Sequence, residues 1–205
     1  TLTVNGPGTI TAIFSCAPPS YSVHFRTNPT SWAGSAGSIQ VDGGTSYTNC
    51  QTATLSAGSH TYTVNVPSNY GFLYVAGNKN PPQNDPSGVY VPNISLISGT
   101  FTVDGNGWIE AIFTAQITFY TNPSSCGSIS WGYGGTSYTN GQTRMEANLP
   151  PDFSNTVTII ANPCPGCSFS SWSITGMLIV ASPSSQSTTL TVNGPGTITA
   201  IFSCA

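Results

Sequence analysis

Apolar and polar positions alternate along this chain in short runs, and the period is two almost everywhere. In YSVHF (residues 21–25), Val23 and Phe25 fall on one side and Ser22 and His24 on the other. GSIQV, HTYTVNV, ITFYT, GSISW and NTVTII follow the same habit. They are rich in Val, Ile, Thr and Tyr and are broken by Gly, Pro and Asn. No window carries a capped helical period. The pattern predicts an all-β chain. No apolar run approaches the roughly 20 residues that span a bilayer, and MLIVA at residues 177–181 reads by its length as a buried strand.

The runs recur. GGTSYTNCQT (residues 43–52) matches GGTSYTNGQT (residues 134–143) at every position but one, and each follows an F-x-T-N-P string, at residues 25–29 and 119–123. Downstream of each lies a closing segment, TFTVDGNGWIEAIF (100–113) or TLTVNGPGTITAIF (189–202). Two tandem modules result, 18–115 and 116–205, each expected to be a small antiparallel sandwich or grasp-like body. Residues 1–17 belong to neither, yet they repeat residues 189–205 letter for letter. The closing segment reads as a hairpin turning at N-G-P-G. Leu2 and Val4 on its first strand, and Ile10, Ala12 and Phe14 on its second, point inward. A lone hairpin is marginal in water, so residues 1–14 need a sheet to join.

A spare closing segment implies a neighbour. In one reading the chain is a window on a longer array, and residues 1–17 close a preceding module. In a second it is a discrete subunit that donates its N-terminal hairpin to another copy. In a third the segment folds back on the first module. Identity over 17 residues, against nine of 14 between the two other closing segments, favours the first.

Six cysteines give an independent handle. Cys16 and Cys50 flank one type of module junction, and the matching positions at the other, Ala115 and Gly141, both lack a thiol. A Cys16–Cys50 bridge would leave that correlation, with Cys204 bonded to the Cys50 of a following unit. Cys126, Cys164 and Cys167 remain, and a bridge from Cys126 to one of the C-x-x-C pair leaves one thiol over. Zinc needs four ligands, and neither His24 nor His60 has a positional reason to supply one, so no metal is expected.

Composition narrows the function. Charged residues make up 4% of the chain, and Arg26, Lys79 and Arg144 are its only cations besides histidine, too few to neutralise a row of phosphates. Nucleic acid is excluded as a partner. Cysteine content with so little charge points to a secreted or surface protein. No basic and apolar leader stands at Thr1, so one was removed or the chain is cut from a longer one. Asn93-Ile-Ser95 is an N-glycosylation sequon. Six scattered carboxylates, no nucleophile motif and no phosphate loop leave no catalytic residue and no cofactor to name. His24 and His60 read as solvated. Trp108, at an outward position, is a candidate surface aromatic that could stack on a sugar, but its place at the end leading into the second module favours packing against that module.

The order TNP…GSI…GGTSYTNGQT…NP…CSFSSWSITG…TTLTVNGPGTITAIF resembles the divergent B-repeats of internalin type, β modules found in tandem in secreted surface proteins. Residues 136–142, the Phe169-x-x-Trp172 pair and the terminal I-x-A-I-F carry the resemblance. The first module departs from it, with Val75 in the tryptophan position and the insertion GNKNPPQNDPSG before Val89. By composition the chain is also similar to archaeal thread and pilus subunits that polymerise by strand donation. These resemblances imply a structural repeat of an extracellular filament, pilus-like fibre or stalk, with copies of itself as partners. A secreted adhesin or carbohydrate-binding pair, with glycans as partners, is the alternative.

Overall fold

The computed structural model describes residues 17–28, 37–81, 83–132, 135–147 and 156–205. Their regular structure is entirely β. The first module holds β1 (Ser20–Asn28), β2 (Ser38–Val41), β3 (Ser46–Tyr47), β4 (Thr52–Ser56), β5 (Gly58–Asn65), β6 (Tyr70–Gly77), β7 (Val89–Tyr90) and β8 (Ser98–Val103). β9 (Gly107–Asn122) runs from the first module into the second. There follow β10 (Ser128–Trp131), β11 (Ser137–Tyr138), β12 (Thr143–Ala147), β13 (Thr156–Asn162), β14 (Cys167–Val180) and β15 (Ser187–Cys204).

One repeated register builds both modules. β2 pairs with β3 and β5 as β10 pairs with β11 and β13, and Ile39↔Val64 answers Ile129↔Ala161. β5 meets β8 as β13 meets the start of β15. On the other layer β4 lies antiparallel to β1, and β12 to the second half of β9. The first strand of each module lies parallel to its last. Val23–Asn28 run beside Gly107–Ile112, and Ile117–Asn122 beside Gly196–Ile201. The expectation of purely antiparallel modules is corrected at these two pairings. A module whose last strand continues into the next module's first must carry both in one direction.

The closing segment is not a hairpin. β8 pairs with β5 and β7, whereas β9 pairs with β1, β6, β12 and β15, and the two never pair with each other. In the second copy both halves form the single strand β15. Its first half pairs with β13 and its second with β9. The N-G-P-G string bends a strand from one layer to the other instead of reversing it. Pro195 has no N–H to close a tight turn, and Gly194 takes φ 153°, open to few side chains. A Cβ on Gly196 would come within 2.4 Å of the Thr175 carbonyl oxygen, so glycine lets the bent strands touch.

Side-chain parity is nonetheless as the alternation predicts. Phe101, Val103, Ile109, Ala111 and Phe113 are buried, as are Leu190, Val192, Ile198, Ala200 and Phe202. The corresponding Leu2, Val4, Ile10, Ala12 and Phe14 lie outside the described residues. Two apolar cores form, one from Val23 to Phe113 and one from Ala115 to Phe202. The sequence boundary between Ala115 and Gln116 therefore falls within β9, in a continuous strand rather than a linker.

The insertion explains why the modules look different. Val89 pairs with Val103 as Leu178 pairs with Val192. In the second module β14 turns the corner with a bulge between Gly176 and Leu178, and one long ribbon with β15 joins the layers into a single sheet. In the first, residues 78–88 enter at that corner and split the ribbon, leaving a five-stranded sheet, β3-β2-β5-β8-β7, apart from the ten-stranded one. Buried Asn78 bridges the gap. Its Oδ1 accepts from Val89 N (2.9 Å) and Trp108 N (3.3 Å), while its Nδ2 donates to Asp85 Oδ2 and the Ser87 carbonyl. Asn80, also buried, exchanges two hydrogen bonds with the Val91 backbone and accepts from Gly77 N.

Candidate functional site

The twice-used T-S-Y-T-N-x-Q-T string is a docking loop for the first strand of each module. Tyr47 stacks on Phe25 at 4.1 Å, and Tyr138 on Phe119 at 4.2 Å. Asn49 Oδ1 accepts from Thr27 N, and Asn140 Oδ1 from Thr121 N. Gln51 and Gln142 close their loops by accepting from Thr48 N and Thr139 N. Between Asn and Gln the backbone is left-handed, at φ 67° for Cys50 and φ 81° for Gly141. Cysteine thus stands where the sister loop has the residue best suited to that conformation. Cys50 is exposed and forms no bridge among the described residues, and Cys16 lies outside them.

The other four cysteines gather at one end of the second module. Cys126 is bonded to Cys164, and Cys167 to Cys204. The thiol that the sequence leaves over, Cys167, takes Cys204, which corrects the expectation that Cys204 reaches a following unit. The registers supply the reason. Cys167 is the β14 residue opposite Cys204, and the same place in the first module holds Tyr70 opposite Ala115. A thiol at 204 and none at 115 is therefore accounted for inside each module, without a bridge across the junction.

At the junction itself, Tyr70 packs against both cores and its hydroxyl reaches Met177 Sδ at 3.9 Å. Gln116 N donates to the Asn69 carbonyl at 2.9 Å, tying the middle of β9 to the loop before β6. Trp108, expected to pack against the second module or to lie free at the surface, is instead half-buried under the Arg26 guanidinium, 4.8 Å from its ring centre. Arg26 and Trp108 lie on the adjacent strands β1 and β9, so the aromatic face is covered by its own module. Tyr90 is exposed, and Asn93 lies in an exposed loop with its Oδ1 accepting from Ser95 N.

Polar clusters elsewhere are structural in their contacts. His24 is exposed and bonds Thr52 Oγ1. His60, expected in solvent, is buried. Its Nδ1 lies 2.7 Å from Asp42 Oδ2 and its Nε2 2.9 Å from the Ser56 carbonyl. Burial pushes its pKa down, but these two acceptors outweigh that and leave it above the ordinary value. The hydrogen bond from His60, aided by Thr61 N, holds the Asp42 carboxyl below its ordinary value. Lys79 pairs with Asp104, which also accepts from Gly88 N and lies below the usual carboxylate range. Arg144 joins Glu146, Tyr138 and the face of Trp131.

Sequence reasoning missed His60 and Tyr70. The first was legible, since His60, Tyr62 and Val64 share a parity in HTYTV and that parity is buried. The second was not, because nothing local marks a residue that serves two cores.

No protein-family model and no curated protein matches this sequence, so the resemblance to internalin-type repeats gains no support from either. Two solved structures of the major pilin from Streptococcus pyogenes, one of them a point mutant, are similar. The mutant is 10% identical, covering 92% of this chain and 99% of its own, with a TM-score of 0.31. The other is 11% identical over the same shares, with a TM-score of 0.28. Likeness at this level does not define a common topology.

Proposed function

We propose that the chain is a structural repeat of an extracellular filament or surface stalk, in which successive modules share their end strands. The observation that carries this reading is β9. Its first half closes one module beside β1, its second half opens the next beside β15, and the strand does not break between them. The parallel order β1, β9, β15 is a ladder that each further module extends by the same pairing. Residues 8–14 precede β1 as Gly107–Phe113 precede the second half of β9, so on this reading residues 1–17 are the closing segment of another module or another copy. In a covalent array Cys16 then occupies the place of Cys204 and bonds the Cys167 of the preceding module, whereas in a discrete copy Cys167 is already held by Cys204. Pairing with Cys50 is the competing outcome. Near-absent charge suits close-packed modules, and a glycan on Asn93 would shield the first one.

Imaging of the native material, with the mass of the reduced, denatured chain, tests the proposal. Fibres with a chain mass near 21.2 kDa mean assembly by strand donation between discrete subunits. Fibres with a many-fold larger mass mean a covalent array. Dispersed particles overturn the filament reading. A non-reduced peptide map then decides between Cys16–Cys167 and Cys16–Cys50.

A further inference from the structure

The sulfurs of Cys126, Cys164, Cys167 and Cys204 all lie within 4.8 Å of one another. Across the two bridges, Cys164 Sγ is 3.3 Å from Cys167 Sγ and Cys126 Sγ is 4.0 Å from Cys204 Sγ. In a tetrahedral zinc–thiolate centre with bonds of about 2.3 Å, sulfurs sit about 3.8 Å apart, which is the scale of these gaps. The chain geometry is that of a metal knuckle. Cys164-Pro-Gly-Cys167 is a turn closed by Cys167 N donating to the Cys164 carbonyl (3.1 Å), with Gly166 at φ 83°. It aims two sulfurs at one point. The loop after Asn122-Pro123 brings Cys126, which is buried, and the end of β15 brings Cys204, which is exposed. Two ligands from a turn and two from separate elements make a closed four-sulfur set, and no histidine is required.

We propose that this cluster has a second, reduced state, a tetrathiolate centre for a thiophilic divalent cation of the zinc class, which gathers the four cysteines before the bridges form. Four thiols bind the cation and release four protons. Oxidation then removes four electrons from the four thiolates, forms the Cys126–Cys164 and Cys167–Cys204 bonds and frees the cation. The electrons pass to two equivalents of a small-molecule disulfide, each of which takes up two protons and becomes two thiols. The cation thus acts as a template for pairing, holding all four sulfurs within reach and keeping them from Cys16 and Cys50.

Cobalt(II) titration of the full chain tests this, in a Cys16→Ser/Cys50→Ser background, reduced with a phosphine and kept free of oxygen. The expected result is one ion per chain with the intense visible bands of tetrahedral cobalt–thiolate, bleached by one equivalent of zinc. Cys204→Ser, at an exposed position, abolishes those bands while circular dichroism stays β. Should Cys126→Ser fail to fold, Cys204→Ser and Cys167→Ser still decide the matter. An octahedral cobalt spectrum, or binding unchanged by Cys204→Ser, overturns the proposal. So does reoxidation of the wild-type chain that yields the same fraction of correct bridges with and without zinc.

Discussion

An acceptor faces each ring nitrogen of His60, Asp42 Oδ2 at one and the Ser56 carbonyl at the other, and only the imidazolium carries a proton for both. Folding therefore favours protonated His60, whose pKa is raised from 6.5, and ionised Asp42, whose pKa is lowered from 3.8. The histidine's contribution is complete below pH 6.5 and is lost as pH rises through its folded value. The carboxylate's is complete above pH 3.8 and is lost as pH falls through its folded value. Thermal midpoints measured across pH should form a plateau between these limits and decline on the alkaline side. His60→Gln should flatten that alkaline limb, and equal slopes in the two proteins would refute the assignment. The sequence carried half of this. Alternation places His60 on the buried face of β5, but the partner that makes its burial tolerable comes from the turn after β2, and pattern does not report pairing across a sheet.

The same gap between face and neighbour governs the elements. Period-two alternation gave the inward set of the closing segment in both described copies, because parity depends only on the local pleat, but it did not foresee that Ile112, on the opposite parity, is buried too. It could not say whether N-G-P-G reverses a strand or bends it between layers, since both put the same residues inside. The insertion was legible as a polar stretch. Its two buried asparagines were not, for they carry side-chain bonds in place of a broken backbone ladder. Asn78→Ala would leave Val89 N and Trp108 N without their shared acceptor at the corner. A loss of about 2–3 kcal/mol in unfolding free energy is expected. Denaturant titration should place Asp85→Ala, at the exposed end of the same network, well above that variant in midpoint. Equal midpoints would mean that Asn78 does not hold the corner.

For the molecule as a whole, the repeat and its length could be read directly, while the coupling between modules could not. Each module has its own core, and among the described residues only the second has bridges, closing successive loops with sequence separations of 38 and 37 residues. Chain-entropy reasoning gives each about 4 kcal/mol at most, so the two modules differ in intrinsic stability. They are joined by β9 and by Tyr70, which fills the place that Cys167 fills in the second module but turns its ring to both cores. Removing that ring by Tyr70→Ala should cost about 3 kcal/mol and take away a side chain that packs against both cores. Calorimetry of the wild-type chain should then show one transition and that of the variant two. Reductant should lower only the upper transition of the variant, because the first module has no bridge among its described residues. On the filament reading proposed above, that linkage would matter, since load along the chain would pass through β9 and reach both cores before either opens. Two transitions already present in the wild-type chain would mean that Tyr70 does not couple the modules and that β9 alone joins them.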